Sequence, residues 1–452
     1  MPIADETCFS GCCLWKVRLY PGLLLDSWSS ISMVLSELKN GILFAAILNR
    51  TLIIPPVLDH HAVALGSCPK FRVSSPTELR MSVWNHIQQL VQSHQYVSMA
   101  DIIDVSSLVS PSLVKTVDFR VFASLWCDLN MEDACYGNLC CRMLGRSGSS
   151  SGHFGQCRSL LTSMNGSLGL CMYAVEDDCR TTVWTYQQDN DGQLDLFQPD
   201  ELKKKKKISY VRRRKDLYRA FGPGSDAELA TVLSFGSLFT APYKGSELYI
   251  DIHDAPRDSR IQKLLKKIEF LPFVPEIMGA GQEFSRNKIK APFLCSQLRL
   301  LDGQFKNHWK TTFSALKQKL DSLVEEQGHN PIHIFIMTDL PKANWTGTYL
   351  SELENSDLYE LYILQEHDEL VVETAQKLMA AEHGLRSGFL PQIRDDVHDK
   401  KNCPFKFKPD VLLYIEQAIC SCASLGFVGT AGSTIAENIE LMQRNNVCFT
   451  PN

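Results

Sequence analysis

The segment Ile332-His-Ile-Phe-Ile-Met337 indicates the fold class, because it is a short apolar run rich in β-branched residues. Runs of this kind are typical of strands that are buried on both faces of a parallel sheet. The pattern predicts a helix at 309–326 before this strand and helices at 371–381 and 409–422 after it. Strands that alternate with such helices predict an α/β fold with mostly parallel sheets and right-handed crossovers.

The alternation continues on both sides of this region. A helix at 257–268 and a strand at 293–301 are predicted before it, and a strand at 425–428 and a helix at 434–444 close the series. The second half of the chain therefore reads as one regular α/β layer unit.

The first half of the chain shows a weaker form of the same pattern. Apolar residues recur at helical spacing over 35–45 and predict an amphipathic helix that ends near Asn49. A strand at 51–54 follows, and a further helix and strand are predicted at 78–93 and 118–126. This half is expected to form a second α/β layer.

Length and composition agree with two domains. A chain of 452 residues is too long for one ordinary core. Hydrophobic residues make up 44% and charged residues 21%, which is ordinary for a globular protein. The net charge of −5 and the pI near 6.2 do not imply nucleic acid as a partner.

A polar, highly charged stretch at 189–215 marks the predicted boundary between the domains. Its basic run Lys203–Lys207 fits a solvated surface better than a nuclear signal or a polyanion site. We predict an atypical N-terminal segment at 1–31 and domains at 32–225 and 226–452.

The cysteines and possible glycosylation sites bear on the cellular compartment. The chain has sixteen cysteines, and their spacing does not match a zinc site. They are either reduced core thiols or disulfides formed in a secretory lumen. The three N-x-S/T triplets at Asn49, Asn165 and Asn344 favour the lumen. No apolar run reaches the roughly 18 residues of a membrane helix, and the start shows no recognisable targeting segment.

An arginine in the predicted strand at 293–301 is the first candidate for function. On a strand, Cys295, Gln297 and Arg299 share one face. Burying an unpaired guanidinium is costly, so Arg299 needs a partner. That partner is either a diphosphate, whose charge a guanidinium stabilises as it leaves, or a carboxylate such as Asp302 in a structural salt bridge.

The segment Phe427-Val-Gly-Thr-Ala-Gly-Ser-Thr434 is the second candidate. Gly429 and Gly432 allow a tight turn, and the helix that follows presents unpaired N–H groups and its dipole to an anion. Ser433 and Thr434 can add hydroxyl donors. Thr434 with Glu437 also fits a capping box, which would use the Thr434 hydroxyl internally. We therefore expect Ser433 and the amides to contribute more than Thr434.

Asp339 ends the strand that begins at Ile332. Ligand groups gather at the carboxyl ends of parallel strands, so Asp339 is a candidate for contact with a nucleotide or a sugar. The alternative is a simple turn former. No metal site is predicted, because His60 and His61 have no metal-ligand spacing with another His, Cys or carboxylate.

These segments together resemble the protein O-fucosyltransferase family, and its plant-type members most closely. The match rests on Leu48–Pro56, Gln297-Leu-Arg299, Ile334–Asp339 and Leu413–Asn445, and it covers roughly 32–450. The resemblance implies a GT-B fold, in which two Rossmann-like domains with mostly parallel sheets face a central cleft. The acceptor-side domain would be 32–225 and the GDP-sugar-binding domain 226–452.

The resemblance also implies GDP-fucose as donor, inversion of configuration, no cofactor and no bound metal. The acceptor would be a hydroxyl of a protein or glycan, and the location the Golgi or ER lumen. The arginine of the family's H-x-R motif, which contacts the donor phosphates and is needed for activity, falls on Arg299. The family's phosphate-holding turn falls on Ser433 and Thr434, next to Gly432, and its acidic residue on Asp339.

Two departures from the family pattern keep a second hypothesis open. The family's histidine is Gln297 here, which can donate a hydrogen bond but cannot carry charge. The family's G-x-x-N-Q-like loop is replaced by Pro21–Ser30, and no general base can be assigned. The alternatives are therefore an active fucosyltransferase, a catalytically weak member that binds nucleotide or glycan, and a cytosolic nucleotide-binding protein unrelated to sugars. The sequence does not predict the acceptor.

Overall fold

The structure is a computed structural model, and it describes twelve parts of the chain. They are 12–15, 31–57, 90, 96–109, 113–122, 172–175, 214–229, 232–235, 257–301, 308–327, 330–386 and 409–448. The predicted helix at 78–93, the basic run Lys203–Lys207 and the loop Pro21–Ser30 lie outside these residues, apart from Leu90, which is helical.

The first sheet has five strands: β1 (Cys12–Trp15), β2 (Thr51–Ile54), β3 (Lys115–Asp118), β4 (Met172–Val175) and β5 (Val232–Phe235). Their order is β3-β2-β1-β5-β4, and every pairing between them is parallel. The helices whose bounds fall within the described residues of this part are α1 (Ile31–Leu48), α2 (Met99–Ile102), α3 (Arg214–Phe221) and α4 (Ser259–Ile268).

The predicted helix and strand around Asn49 are confirmed. Helix α1 ends at Leu48, and Asn49 has a positive φ of 52°. Asparagine tolerates this left-handed conformation, which reverses the chain at a helix end. The chain then enters β2, whose four residues are all buried.

The strand predicted at 118–126 is wrong over 119–122, and its last four residues lie outside the described parts of the chain. The strand is β3 at Lys115–Asp118, and residues 119–122 are helical. The Asp118 carboxylate explains the change, because it accepts the N–H of Arg120 at 2.9 Å and also pairs with the Arg120 guanidinium at 2.8 Å. Such a local side-chain acceptor starts a turn at the end of a strand. The apolar residues that follow are buried from a helical turn instead.

The second sheet has four strands: β6 (Phe293–Leu298), β7 (Ile332–Thr338), β8 (Tyr359–Tyr362) and β9 (Gly426–Gly429). Their order is β8-β7-β6-β9, and all pairings are again parallel. The described helices of this part are α5 (Pro275–Phe284), α6 (Trp309–Gln327), α7 (Tyr349–Glu354), α8 (Glu369–Ala381), α10 (Leu412–Ser421) and α11 (Thr434–Arg444). Helix α9 (His383–Arg386) lies between α8 and α10 along the chain. The predicted α/β class with parallel sheets is confirmed.

Strand β6 ends three residues earlier than predicted, so Arg299 follows the strand and does not lie within it. The reason is a change of hydrogen-bond partner after Leu298. The N–H of Arg299 donates to the Thr430 side chain, and the N–H groups of Leu300 and Leu301 donate to the Asp339 carboxylate. Side-chain acceptors thus replace the carbonyl groups of a neighbouring strand.

Two disulfides hold α10 to its surroundings. Cys295 on β6 is bonded to Cys420 on α10, and Cys422 is bonded to Cys448, which follows α11. All four cysteines are buried. The sequence left open whether the cysteines are reduced thiols or form disulfides, and these four form disulfides.

Helices α10 and α11 run in the same direction. Asn438 donates to the Gln417 side chain at 2.9 Å, and Gln443 donates to the Cys420 carbonyl at 2.9 Å. The residue numbers of the two helices increase together along this contact, from 417 to 420 in α10 and from 438 to 443 in α11, so the helices are parallel. Because α11 starts at the carboxyl end of β9, the start of α10 lies at that same edge of the sheet.

The chain separates into two compact units. One contains the described parts of Met1–Pro21, Met33–Leu271 and Ala380–Phe407, and the other those of Gly22–Ser32, Pro272–Met379 and Lys408–Asn452. The first sheet belongs to the first unit and includes β5, beyond the boundary predicted at residue 225, which stays a prediction. In the described parts of the chain, no helix combines the length and apolar character of a membrane span.

Candidate functional site

The carboxyl ends of three neighbouring strands bring the predicted residues together. Gln297 pairs in register with Met337 on β7 and with Gly429 on β9. Arg299, Asp339 and the turn before α11 therefore extend from the same edge of the second sheet. This edge is where open α/β sheets bind their ligands.

Arg299 is buried, with 2% of its surface exposed. Its N–H donates to Thr430 Oγ1 at 2.9 Å. The next two N–H groups, of Leu300 and Leu301, donate to the two carboxylate oxygens of Asp339 at 2.7 and 3.0 Å. The main chain on both sides of the Arg299 side chain is therefore fixed by hydrogen bonds.

Asp339 fixes the segment that follows Arg299, because its carboxylate accepts the two N–H groups of that segment. Burial raises the pKa of the Asp339 carboxyl, while the N–H groups of Leu300 and Leu301 and the charge of Arg299 oppose that rise. Each oxygen holds one backbone N–H, which leaves further acceptor capacity on the carboxylate. A contact between Asp339 and the donor stays a prediction.

Gln297 is completely buried and has one unused donor. Its Oε1 accepts the N–H of Thr430 at 3.2 Å, which requires oxygen on that side of the amide. Its Nε2 has no hydrogen-bond partner among the described residues. A buried donor without a partner is costly in a protein interior and suits a site that a ligand fills.

The turn between β9 and α11 depends on two glycines for different reasons. A Cβ on Gly429 would lie 2.6 Å from the Cβ of Ala436, so only glycine allows the helix to approach the strand this closely. Gly432 has a φ of 73°, which disfavours any residue with a side chain. Together they set the start of α11 against the end of β9.

Ser433 is the N-cap of α11 and is completely buried. Its side chain makes no capping hydrogen bond, and its Oγ has no partner among the residues that the structure describes. Thr434 is the first residue of the helix, so it cannot be the N-cap of a capping box with Glu437. The first N–H groups of α11 lack partners within the helix, as at any helix start. Ser433 and these amides form an anion-binding arrangement.

Glu416 is a buried acid that the sequence reasoning missed. It lies on α10 one turn before Cys420, which is bonded to β6, so Glu416 faces the same sheet one turn nearer to the carboxyl edge. Only 4% of Glu416 is exposed, and its Oε2 has no partner among the described residues. Burial raises the pKa of its carboxyl well above the ordinary value, and the charge of Asp410 adds to that rise. An acid in the middle of a mainly apolar helix was the available sequence signal.

The candidate site contains several hydrogen-bond donors and one buried hydrogen-bond acceptor. The donors are N–H or O–H groups at one edge of the sheet, and they belong to Arg299, the Gln297 amide, the Ser433 hydroxyl and the start of α11. Such a set suits a phosphate or diphosphate. The acid at Glu416 suits the N–H groups of a base. The fold is therefore that of an α/β protein, and the groups at this edge of the sheet suit a nucleoside diphosphate.

Comparison with known proteins identifies the family. Family models give no match to the chain. The chain is 55% identical over 426 residues to O-fucosyltransferase 30 of Arabidopsis thaliana, which covers 93% of this chain and 82% of that protein. The chain belongs to the O-fucosyltransferase family, and the resemblance that its motifs predicted is confirmed.

Solved structures of POFUT1 are also similar to the chain. The complex of POFUT1 with GDP-fucose is 13% identical, with a TM-score of 0.40 and coverage of 99% of this chain and 98% of that one. The apo-form of POFUT1 is 14% identical, with a TM-score of 0.41 and coverage of 98% and 97%.

Proposed function

We propose that this protein transfers fucose from GDP-fucose to a hydroxyl of a protein or glycan acceptor. The proposal rests on one observation: Arg299, Gln297 and the turn between β9 and α11, which contains Ser433, lie at one edge of a parallel sheet. Family membership supports the same reaction, since the Arabidopsis relative is an O-fucosyltransferase. GDP-fucose is a substrate here, and the proposal includes no cofactor and no metal.

The proposed chemistry depends on neutralising the leaving diphosphate. As the bond between fucose and phosphate breaks, positive charge develops on the sugar and negative charge on the departing GDP. Arg299 and the start of α11 would hold that negative charge in a site with little water. Gln297 Nε2 and Ser433 Oγ would each donate one further hydrogen bond. In the inverting reaction the acceptor oxygen attacks the anomeric carbon from the face opposite to GDP, the bond between fucose and phosphate breaks, and the proton of the acceptor hydroxyl is released to solvent.

Glu416 is proposed to select guanine over other bases. Guanine carries an N–H at N1 and an amino group at N2, and an ionised carboxylate can accept both. Adenine and uracil do not offer that pair of donors. Of the acids that the structure describes near this edge, Asp339 already accepts two backbone N–H groups, whereas Oε2 of Glu416 is unused.

A GT-B arrangement with a cleft between two Rossmann-like domains is part of the proposal. One parallel sheet in each unit supports it. The domains at 32–225 and 226–452, with an atypical segment at 1–31, remain proposed boundaries. A Golgi or ER location is proposed on the basis of the family and is supported by the two disulfides.

Binding of GDP is the first test of this proposal. A ligand that binds only the folded state at one hundred times its Kd stabilises that state by about 2.7 kcal/mol. We therefore expect GDP to raise the melting temperature clearly, and ADP and UDP to raise it much less. A melting temperature that GDP leaves unchanged would contradict the donor site.

Turnover separates the active enzyme from the catalytically weak family member. Release of GDP from GDP-fucose, with water or a glycan pool as acceptor, is expected for the enzyme. Stabilisation by GDP without any release of GDP from GDP-fucose would support the binding protein. Gln297 and the altered segment Pro21–Ser30 are the reasons for making both measurements.

The two described N-x-T triplets differ in their surroundings, and we expect glycosylation at only one of them. Asn344 and Thr346 are both exposed, whereas Thr51 of the triplet at Asn49 is buried in β2. A glycan needs a surface position. After expression in a secretory host, Asn344→Gln should remove one glycan by mass spectrometry, and Asn49→Gln should remove none. Loss of a glycan from the Asn49 variant would contradict this prediction.

A further inference from the structure

Thr430 lies at the centre of the candidate site and contacts all three of its main residues. It is completely buried. Its hydroxyl accepts the Arg299 N–H at 2.9 Å and contacts the Gln297 carbonyl at 3.2 Å as a donor. Its N–H donates to the Gln297 carbonyl at 3.0 Å and to Gln297 Oε1 at 3.2 Å, and its carbonyl accepts the Ser433 N–H at 3.0 Å.

These bonds divide into two groups with different consequences. The bonds of the Thr430 N–H and carbonyl belong to the backbone, and any residue at this position except proline can make them. The bonds of the hydroxyl need a side chain that donates one hydrogen bond and accepts another. Only the hydroxyl reaches Arg299.

The hydroxyl therefore connects two strand ends that are 131 positions apart. Gln297 and Arg299 enclose Leu298, the last residue of β6, and the hydroxyl bonds to the main chain on both sides of it. This fixes the position from which the Arg299 side chain starts, relative to the turn that holds Ser433. Because threonine is branched at Cβ, its χ1 angle is restricted, and the hydroxyl keeps this direction.

We propose that the Thr430 hydroxyl is a positioning group for diphosphate recognition. It does not touch the donor itself; it holds Arg299 at the correct place beside Ser433 and the start of α11. The inference rests on the proposed function, because it concerns how that donor site is kept in register. It adds a residue that neither the motif pattern nor the family resemblance assigned.

The test compares Thr430→Val with Thr430→Ser. Valine has nearly the same shape but no hydroxyl, so the bonds to Arg299 N–H and the Gln297 carbonyl are lost while the backbone bonds remain. Serine keeps the hydroxyl. We expect Thr430→Val to weaken GDP binding about tenfold, as the loss of one or two buried hydrogen bonds implies. Thr430→Ser is expected to bind GDP within about twofold of the unchanged protein.

Guanosine distinguishes positioning from a general loss of structure. It has no phosphate and therefore makes no use of Arg299. Its affinity, measured by competition, should be the same in Thr430→Val and in the unchanged protein. Equal weakening of GDP and guanosine, or full GDP affinity in Thr430→Val, would overturn the inference.

Two further outcomes keep this test separate from the test of the donor site. If the unchanged protein does not bind GDP, the proposed function fails and this inference fails with it. If Thr430→Val does not fold, Thr430→Ala serves in its place with the same expected change in GDP affinity. Normal GDP binding by Thr430→Ala would then overturn the inference while leaving the proposed function intact.

Discussion

Replacement of Arg299 by alanine is expected to lower kcat with GDP-fucose by about 100- to 1,000-fold, as the loss of one preorganised group that stabilises transition-state charge typically does. Arg299 is buried, and its N–H is hydrogen-bonded to Thr430 in the turn that leads into α11, where the diphosphate charge would develop. The stabilisation of the fold by GDP should disappear in the same variant. Steady-state release of GDP and thermal unfolding with and without GDP measure the two effects.

Two further variants show whether the effect belongs to this guanidinium. Arg299→Lys keeps the charge but loses the planar fork, so it should recover only part of the activity. Arg286 lies at the amino end of β6, away from the candidate site, and is exposed. Arg286→Ala is therefore the matched control and should change neither measurement. A GDP-dependent rise in melting temperature that persists in Arg299→Ala would contradict the assignment.

Replacement of Glu416 by glutamine is expected to weaken GDP binding by about 10- to 100-fold, which is the usual worth of a bidentate contact to a base. Glutamine keeps the size of the side chain but offers one acceptor where the carboxylate offers two. Discrimination between GDP and ADP should fall by a similar factor. Isothermal titration with both nucleotides measures these changes.

The same substitution should change how stability depends on pH. The folded-state pKa of Glu416 is raised above its ordinary value near 4.5 by burial and by the charge of Asp410. The folded state therefore holds this proton more tightly than the unfolded chain, and stability falls as pH rises from about 4.5 towards the raised pKa. Glu416→Gln should remove that decline. GDP binding, which needs the ionised form, should strengthen with pH over the same range.

Glu440 provides the control for the Glu416 variant. It lies exposed on α11 and forms an ion pair with Arg444. Glu440→Gln should alter neither the selectivity for guanine nor the pH dependence that is assigned to Glu416. If Glu416→Gln binds GDP and ADP as the unchanged protein does, base recognition belongs to another residue.

The sequence predicted those elements whose pattern is set by burial. Strand β7 and helix α11 lie where the apolar runs placed them, because nearly all of the apolar residues of each element are buried. The end of β6 was predicted less well. Leu300 and Leu301 look like strand residues, but the Asp339 carboxylate captures their N–H groups. Asp339 lies 39 and 38 positions away from these two residues, so local propensity cannot show the capture.

Helix α5 and strand β8 were missed because their local signals are weak. Helix α5 contains Gly279 and Gly281, which disfavour a helix, but Gly281 allows close contact with Ala418 of α10. Strand β8 is a four-residue edge strand that is only partly buried. In both places tertiary contact decides the structure, as it often overrides propensity.

Of the residues proposed to contact the ligand, the sequence analysis named Arg299, Gln297 and Ser433 but missed Glu416, and it also missed the supporting role of Thr430. Arg299 and Ser433 stood out because a buried cation and a glycine-flanked helix start imply an anion. Thr430 was quoted within the same turn, but its role depends on Gln297 near the end of β6 and on Arg299 just after it. Glu416 was a weak signal within a mainly apolar helix, and the disulfide of Cys420 to β6 shows which face of α10 it occupies.

The placement of β9 beside β6 has a consequence for synthesis on the ribosome. Gln297 and Ser433 are 136 positions apart, which corresponds to roughly 7–27 s of elongation at about 5–20 residues per second. During that interval β6 lacks its neighbour on one side, and the thiol of Cys295 has no Cys420 to join. The nascent chain therefore presents an open strand edge and a free Cys295 thiol. This sheet and this disulfide can be completed only after residue 429 has been synthesised.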